Sequence, residues 1–172
     1  MTGGRMTAMA GRSGRRILAF AVLPTAAVAL GATAGVLQWQ VTFHRESASA
    51  ASDSLRAARV AAVKLLSYQA DTVEQELTAA REGLTGPFLN SYTDLIKTAV
   101  IPAARQRQIS AVAEVVAAAS VSASPEHAVA MVFINQTTTT VGVEAPTVIP
   151  STVRVTLDKV DGRWLVSGFD PV

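Results

Sequence analysis

The chain has 172 residues, 49% of them hydrophobic, with a formal charge of +2 and no cysteine. The length allows one anchor and one small domain, and the missing cysteine excludes a disulfide framework, thiolate zinc sites and a cysteine nucleophile together. Four of the 15 basic residues (Arg5, Arg12, Arg15 and Arg16) and none of the 13 acidic ones precede the apolar stretch, so the chain after Val41 keeps 11 basic against 13 acidic side chains, a net of about −2. A slightly acidic domain without a basic stripe is a poor partner for a phosphate backbone, so nucleic acid is excluded as a partner.

From Ile17 to Leu37 no residue carries a formal charge, and Trp39 follows at the position of an interfacial aromatic. About 20 helical residues cross a bilayer core of roughly 30 Å. The chain accordingly divides into a basic cytoplasmic tail (1–16), a transmembrane anchor (17–41), a linker or stalk (42–53) and an extracytoplasmic domain (54–172). Arginines on the N-terminal flank keep that end in the cytoplasm, giving a single-pass protein of the cell membrane with its C-terminal domain outside. Gly31 and Gly35, four apart, form a small-xxx-small pair for packing against another span. The competing reading is a cleaved signal peptide with Ala32-Thr33-Ala34 as its cleavage site, but the apolar stretch exceeds the ~7–15 residues of a signal h-region.

Ser52 or Asp53 reads as the cap of a helix carrying Leu55, Ala58, Val60, Ala62, Val63, Leu65 and Leu66, with spacings of three and four dominant. Asp71 and Thr72 look like a second cap, with Thr72 and Gln75 matching a capping box before a short helix through Arg81. Gly86-Pro87 opens a third helix, on which Phe88, Leu89, Tyr92, Leu95 and Ile96 recur at helical spacing until Pro102 ends it or begins a further turn.

From Gln108 the period falls towards two. Strands are expected over Gln108–Ser122, His127–Val141, Ser151–Val160 and Arg163–Phe169, with a loop over Gly142–Pro150. Val153, Val155 and Leu157 fall on one face of the third strand, and Asp161-Gly162 is a strong type I′ hairpin signal. Helices followed by hairpin-connected strands define an α+β domain, with the helices covering the apolar face of an antiparallel sheet.

The Ala-rich helix ending Leu65-Leu66-Ser67-Tyr68, the Gly86-Pro87-Phe88-Leu89-Asn90-Ser91-Tyr92 helix start and the run from Val153 to Val166, with its hairpin Asp161-Gly162-Arg163-Trp164-Leu165-Val166, together resemble the Mce-associated (mammalian-cell-entry-associated) membrane proteins of actinobacteria. The resemblance covers nearly the whole chain. It implies a cone-shaped, SnoaL-like or nuclear-transport-factor-like domain, about three helices packed on a curved four-stranded antiparallel sheet. It also implies a non-enzymatic accessory role in assembling a Mce complex that imports lipids or sterols, with Mce transporter subunits and the bilayer as partners. The family carries no catalytic signature. The Thr137–Thr140 run and the Pro146/Pro150 loop depart from its pattern.

Enzymes with a cone fold hold an Asp or His inside the cone, often beside a Tyr. Tyr68 with Asp71 and Tyr92 with Asp94 are the local candidates, but Asp71 before Thr72 reads better as a helix cap. His44 and His127, the chain's two histidines, complete neither a triad nor a metal site. No catalytic, cofactor-binding or metal-binding residue is therefore assigned, and no cofactor. The candidates for interaction or cavity lining are Trp164, Phe88, Phe133, Tyr68 and Tyr92. Two other functions stay open: a lipid-binding cone, in which Phe88, Phe133 and Trp164 either fill the cone or line it, and a scaffold of type IV secretion, whose inner-membrane components share the anchor-plus-cone plan.

Overall fold

A computed structural model describes residues 47–172. The tail expected over 1–16, the anchor over 17–41 with its Gly31/Gly35 pair, and residues 42–46 of the linker lie outside them. Among the described residues no helix is long and apolar enough to cross a membrane.

Helix α1 covers the helical residues 47–66. Its buried side is a row of small residues, Ala50, Ser54, Ala58 and Ala62, ending in Leu65. Spacing by four puts them on one face, and their size lets the helix backbone approach the sheet closely. Ser52 and Asp53 do not start this helix. They lie within it, where the Ser52 hydroxyl donates to the Ser49 carbonyl (2.9 Å) and Asp53 pairs with Arg56 on the exposed side.

Helix α2 (Val73–Ala80) runs into a 3₁₀ turn, Arg81–Gly83. The expected capping box does not form. Thr72 has φ −111° and ψ 6°, outside the extended region that aims a capping side chain at the first turn, and it makes no side-chain cap bond. Glu76, one position beyond Gln75, instead accepts the Gln69 N–H at 2.8 Å.

Helix α3 (Gly86–Leu95) opens with Pro87 in its first turn and continues through a π-helical turn, Ile96–Val100, into α4 (Ile101–Arg107). Pro102 thus begins a further turn and does not stop the helix. A proline lacks the N–H of the i→i−4 ladder and its ring crowds the carbonyl at that position, and a widened turn just before it accommodates both defects. Gln108, expected to open a strand, adopts the left-handed conformation (φ 49°) that ends α4.

Four antiparallel strands follow in the order β1-β2-β3-β4: β1 (Ile109–Ala123), β2 (His127–Thr140), β3 (Thr147–Val160) and β4 (Arg163–Pro171). Register shifts at Val115/Ala117, Ser120/Ser122 and Thr156/Leu157 bend the sheet, as bulges do. Strand β3 starts four residues earlier than the two prolines imply, and Pro150 pairs with Asn135 inside it. β4 pairs with β3 only from Val153 onward. Pro150 therefore sits where β3 is an edge strand, a place that tolerates a missing donor.

The core lies between the sheet's inner face and the helices. Val132, Ile134, Val155, Leu157 and Val166, each at most 1% exposed, meet Ala58, Ala62, Leu77 and Ile96 from above. Burying each such branched aliphatic side chain contributes ~1.5–3 kcal/mol. The roof is stitched to both edges of the sheet. Tyr68 and Ala111 exchange two backbone hydrogen bonds of 2.8 Å at the β1 edge, and Thr85 N–H donates to the Val166 carbonyl (2.9 Å) at the β4 edge.

Candidate functional site

The α1–α2 connection, the face of α3 with its π-turn, and the inner ends of β2 and β4 surround a half-open pocket of about 320 Å³ in the roof. Leu65, Leu66, Leu77, Ile96 and Phe169 line it together with Phe88. The Phe88 ring lies 6.1 Å from that of Tyr92 and 6.3 Å from that of Phe169, in the range of favourable aromatic pairs. Leu95 lines the same space while remaining 55% exposed, which puts it at the mouth.

Three polar side chains of this lining are bonded to backbone carbonyls. Tyr92 Oη donates to the Leu65 carbonyl (3.4 Å), Gln136 Nε2 to the Leu66 carbonyl (2.9 Å) and Ser91 Oγ to the Pro87 carbonyl (3.2 Å). The first two satisfy carbonyls at the end of α1, where an α-helix leaves its last acceptors unpaired. Burial raises the Tyr92 phenol well above its ordinary range and raises that of Tyr68, so both stay neutral at physiological pH. Among the described residues, no charged side chain lines the pocket.

Of the five aromatic candidates, the structure brings Tyr68, Phe88 and Tyr92 to this pocket. Trp164 stands apart on the β3–β4 hairpin, packed against the edge of the core with Lys159 Nζ 5.6 Å from its ring centre. It lines a small groove with Ala57, Lys64, Glu82 and Arg163, and its indole N–H is buried without an acceptor among the described residues. Phe133 faces the opposite side of the sheet, 44% exposed, in an open groove with Val116, Pro150 and Val172.

Neither acid–tyrosine pair assembles. α1 ends at Leu66, so Tyr68 and Asp71 share no helical face; Asp71 is exposed in a groove beside Glu74 and Arg105, and Asp94 is exposed while Tyr92 is buried. A pairing that local sequence does not show is His127 Nδ1 with Asp158 Oδ1 at 2.6 Å. The two residues face each other across β2 and β3. Hydrogen bonds from His127 and Ser167 hold the Asp158 carboxyl below its ordinary range. The acid sits between Ser and His in that chain, so the histidine ring is not placed to activate the serine. Leu95, Phe169 and Gln136 also join the site unannounced. Only the 3.6-residue spacing of Leu95 with Phe88 and Tyr92 hinted at a shared face.

Outer membrane protein Rv1973 of Mycobacterium tuberculosis is 52% identical to this chain over 157 residues, which cover 91% of this chain and 98% of that protein. The chain belongs to the Rv1973 family. A second Mycobacterium tuberculosis protein, Rv1362c, is 42% identical to this Rv1973-family chain over 123 residues, 72% of this chain and 56% of that one. No family model matches. Among solved structures, the periplasmic domain of DotI superposes with a TM-score of 0.56 at 17% identity, covering 69% of this chain and 91% of that one. The VirB8 protein of Agrobacterium tumefaciens gives 0.54 at 18% identity, covering 69% and 90%. At such identities the likeness is one of fold, and it matches the α+β cone of helices on a four-stranded antiparallel sheet described here for the Rv1973 family.

Proposed function

We propose that this protein is a non-enzymatic accessory subunit of a Mce-type lipid or sterol import complex, held in the cell membrane by residues 17–41 with the α+β domain outside. The observation that carries the assembly role is the outer face of the sheet. Val116, Phe133 and Val148 are 44–59% exposed there and Val172 is 61% exposed at its end, an apolar surface of the kind that marks a protein contact. An open sheet cannot leave its edges in hydrocarbon, and β1 and β4 are edges. That supports attachment through 17–41 and not through the domain. The name of the Mycobacterium tuberculosis relative, an outer membrane protein, supports the membrane association. The same fold in an IcmL-like type IV secretion system protein of Legionella pneumophila supports a scaffolding role in general.

The test is a pull-down of the full-length tagged protein from its native membrane in mild detergent, alongside Phe133→Asp and Val116→Asp. Mce transporter subunits are expected with the native chain and depleted with either variant. Recovery of secretion components, or of no partner at all, would overturn the reading.

A further inference from the structure

We propose that the roof pocket binds the end of a single aliphatic chain, which enters past Ser91 and Leu95. The inference concerns the Rv1973-family domain itself and does not depend on the transporter partnership. Three observations carry it.

The first is chemical. Phe88, Ile96, Leu66 and Phe169 supply an apolar lining, and no charged side chain among the described residues lines the space. The donors of Tyr92, Gln136 and Ser91 are already bonded to backbone carbonyls. A sugar, nucleotide or free carboxylate would lose its hydration there and find one unbonded hydroxyl, that of Tyr68, in return, a penalty of several kcal/mol for a charged group. An alkyl chain makes no such demand and gains ~25 cal/mol for each Å² it removes from water.

The second observation is size. About 320 Å³ lies at the small end of the ~300–1,000 Å³ typical of ligand pockets, which suits one chain and not two. The third is the mouth. Leu95 is 55% exposed and Ser91 is also exposed, although both line the cavity. The opening is thus rimmed by residues that solvent already reaches, and an entering chain needs no unfolding of the roof. Of the three lining hydroxyls, that of Tyr68 is the one with no hydrogen-bond partner among the described residues, which leaves it for a neutral polar group carried by the chain.

The experiment uses the full-length protein in phosphatidylcholine nanodiscs, photolysed with a long-chain alcohol bearing a diazirine at its methyl end. Within residues 54–172, labelling is expected to concentrate in the tryptic peptide 82–97, which holds Phe88, Tyr92 and Ile96. Ser91→Trp fills the mouth from an exposed position and is expected to cut that labelling about tenfold. Leu95→Glu does the same by placing a charge there, and decides the matter if Ser91→Trp fails to fold. Labelling spread evenly over the domain, or unchanged in a variant that melts like the native chain, overturns the proposal. Pull-down of the same variants separates this outcome from the assembly role: transporter subunits that persist while labelling is lost show the two surfaces to be independent.

Discussion

Gln136 on β2 donates its side-chain amide to the Leu66 carbonyl 2.9 Å away, joining the end of α1 to the sheet across 70 positions of sequence. Tyr92 does the same from α3 to the neighbouring Leu65 carbonyl, over a longer 3.4 Å. These contacts settle where the first helix stops and therefore where the pocket begins.

Gln136→Leu should destabilise the protein by ~1–2 kcal/mol, because the Leu66 acceptor loses its partner in a partly buried setting. Tyr92→Phe should cost less, since a 3.4 Å contact is already near the limit of a useful bond. Urea midpoints of the full-length variants, followed by tryptophan fluorescence, give the order. Equal midpoints for Gln136→Leu and the native chain would remove this contact from the account of the roof.

The sheet offers a sharper contrast. Leu157 is fully buried, and Leu157→Ala should lower stability by ~2–5 kcal/mol through lost burial and the cavity left behind. Val148 on the same strand is 55% exposed, and Val148→Ala should stay within ~0.5 kcal/mol. Thermal unfolding of the pair tests whether the inward face of β3 is the one assigned.

That inward face was legible from the chain alone. Val153, Val155 and Leu157 alternate with polar residues, and all three are buried as the period of two requires. The misreadings arise where long-range pairing overrides local chemistry. Pro146 and Pro150 look like loop residues, yet β2 offers partners as far as Thr138, and Pro150 is carried into β3 on its unpaired side. At Pro102 the sequence leaves a stop and a further turn both open, and the π-turn before it decides for the further turn. The pocket was half legible. Phe88, Tyr92 and Leu95 share a helical spacing, whereas Phe169 and Gln136 arrive from strands whose register no local pattern specifies.

The β3–β4 turn makes a separate prediction. Asp161 and Gly162 both have positive φ, 49° and 78°, the signature of the type I′ turn that their identities announce. A Cβ on Gly162 would meet nothing within 4 Å, so the cost of Gly162→Ala is purely that of the backbone conformation, ~1–2 kcal/mol. Gly162→Asn, which tolerates the left-handed region, should recover part of it. A chemical melt in which alanine and asparagine behave alike would mean that the turn relaxes when substituted.

The His127–Asp158 pair ties protonation to the sheet's outer face. His127, and secondarily Ser167, holds the Asp158 carboxyl below its ordinary value by hydrogen bonding to the charged form. A carboxyl depressed in the folded state adds stability that is fully present above the unfolded value, about 3.9. That contribution fades as pH falls from there through the folded value. Both side chains are substantially exposed, so the effect on global stability is small and the local titration is the better observable. In a carboxyl-carbon NMR titration, His127→Ala should move the Asp158 midpoint upward towards the ordinary range. Ser167→Ala should move it the same way by less, because its hydrogen bond is the second contribution. A midpoint unmoved by His127→Ala would mean that the 2.6 Å contact does not persist in solution, and with it would go the only cross-strand acid–base pair found on that face among the described residues.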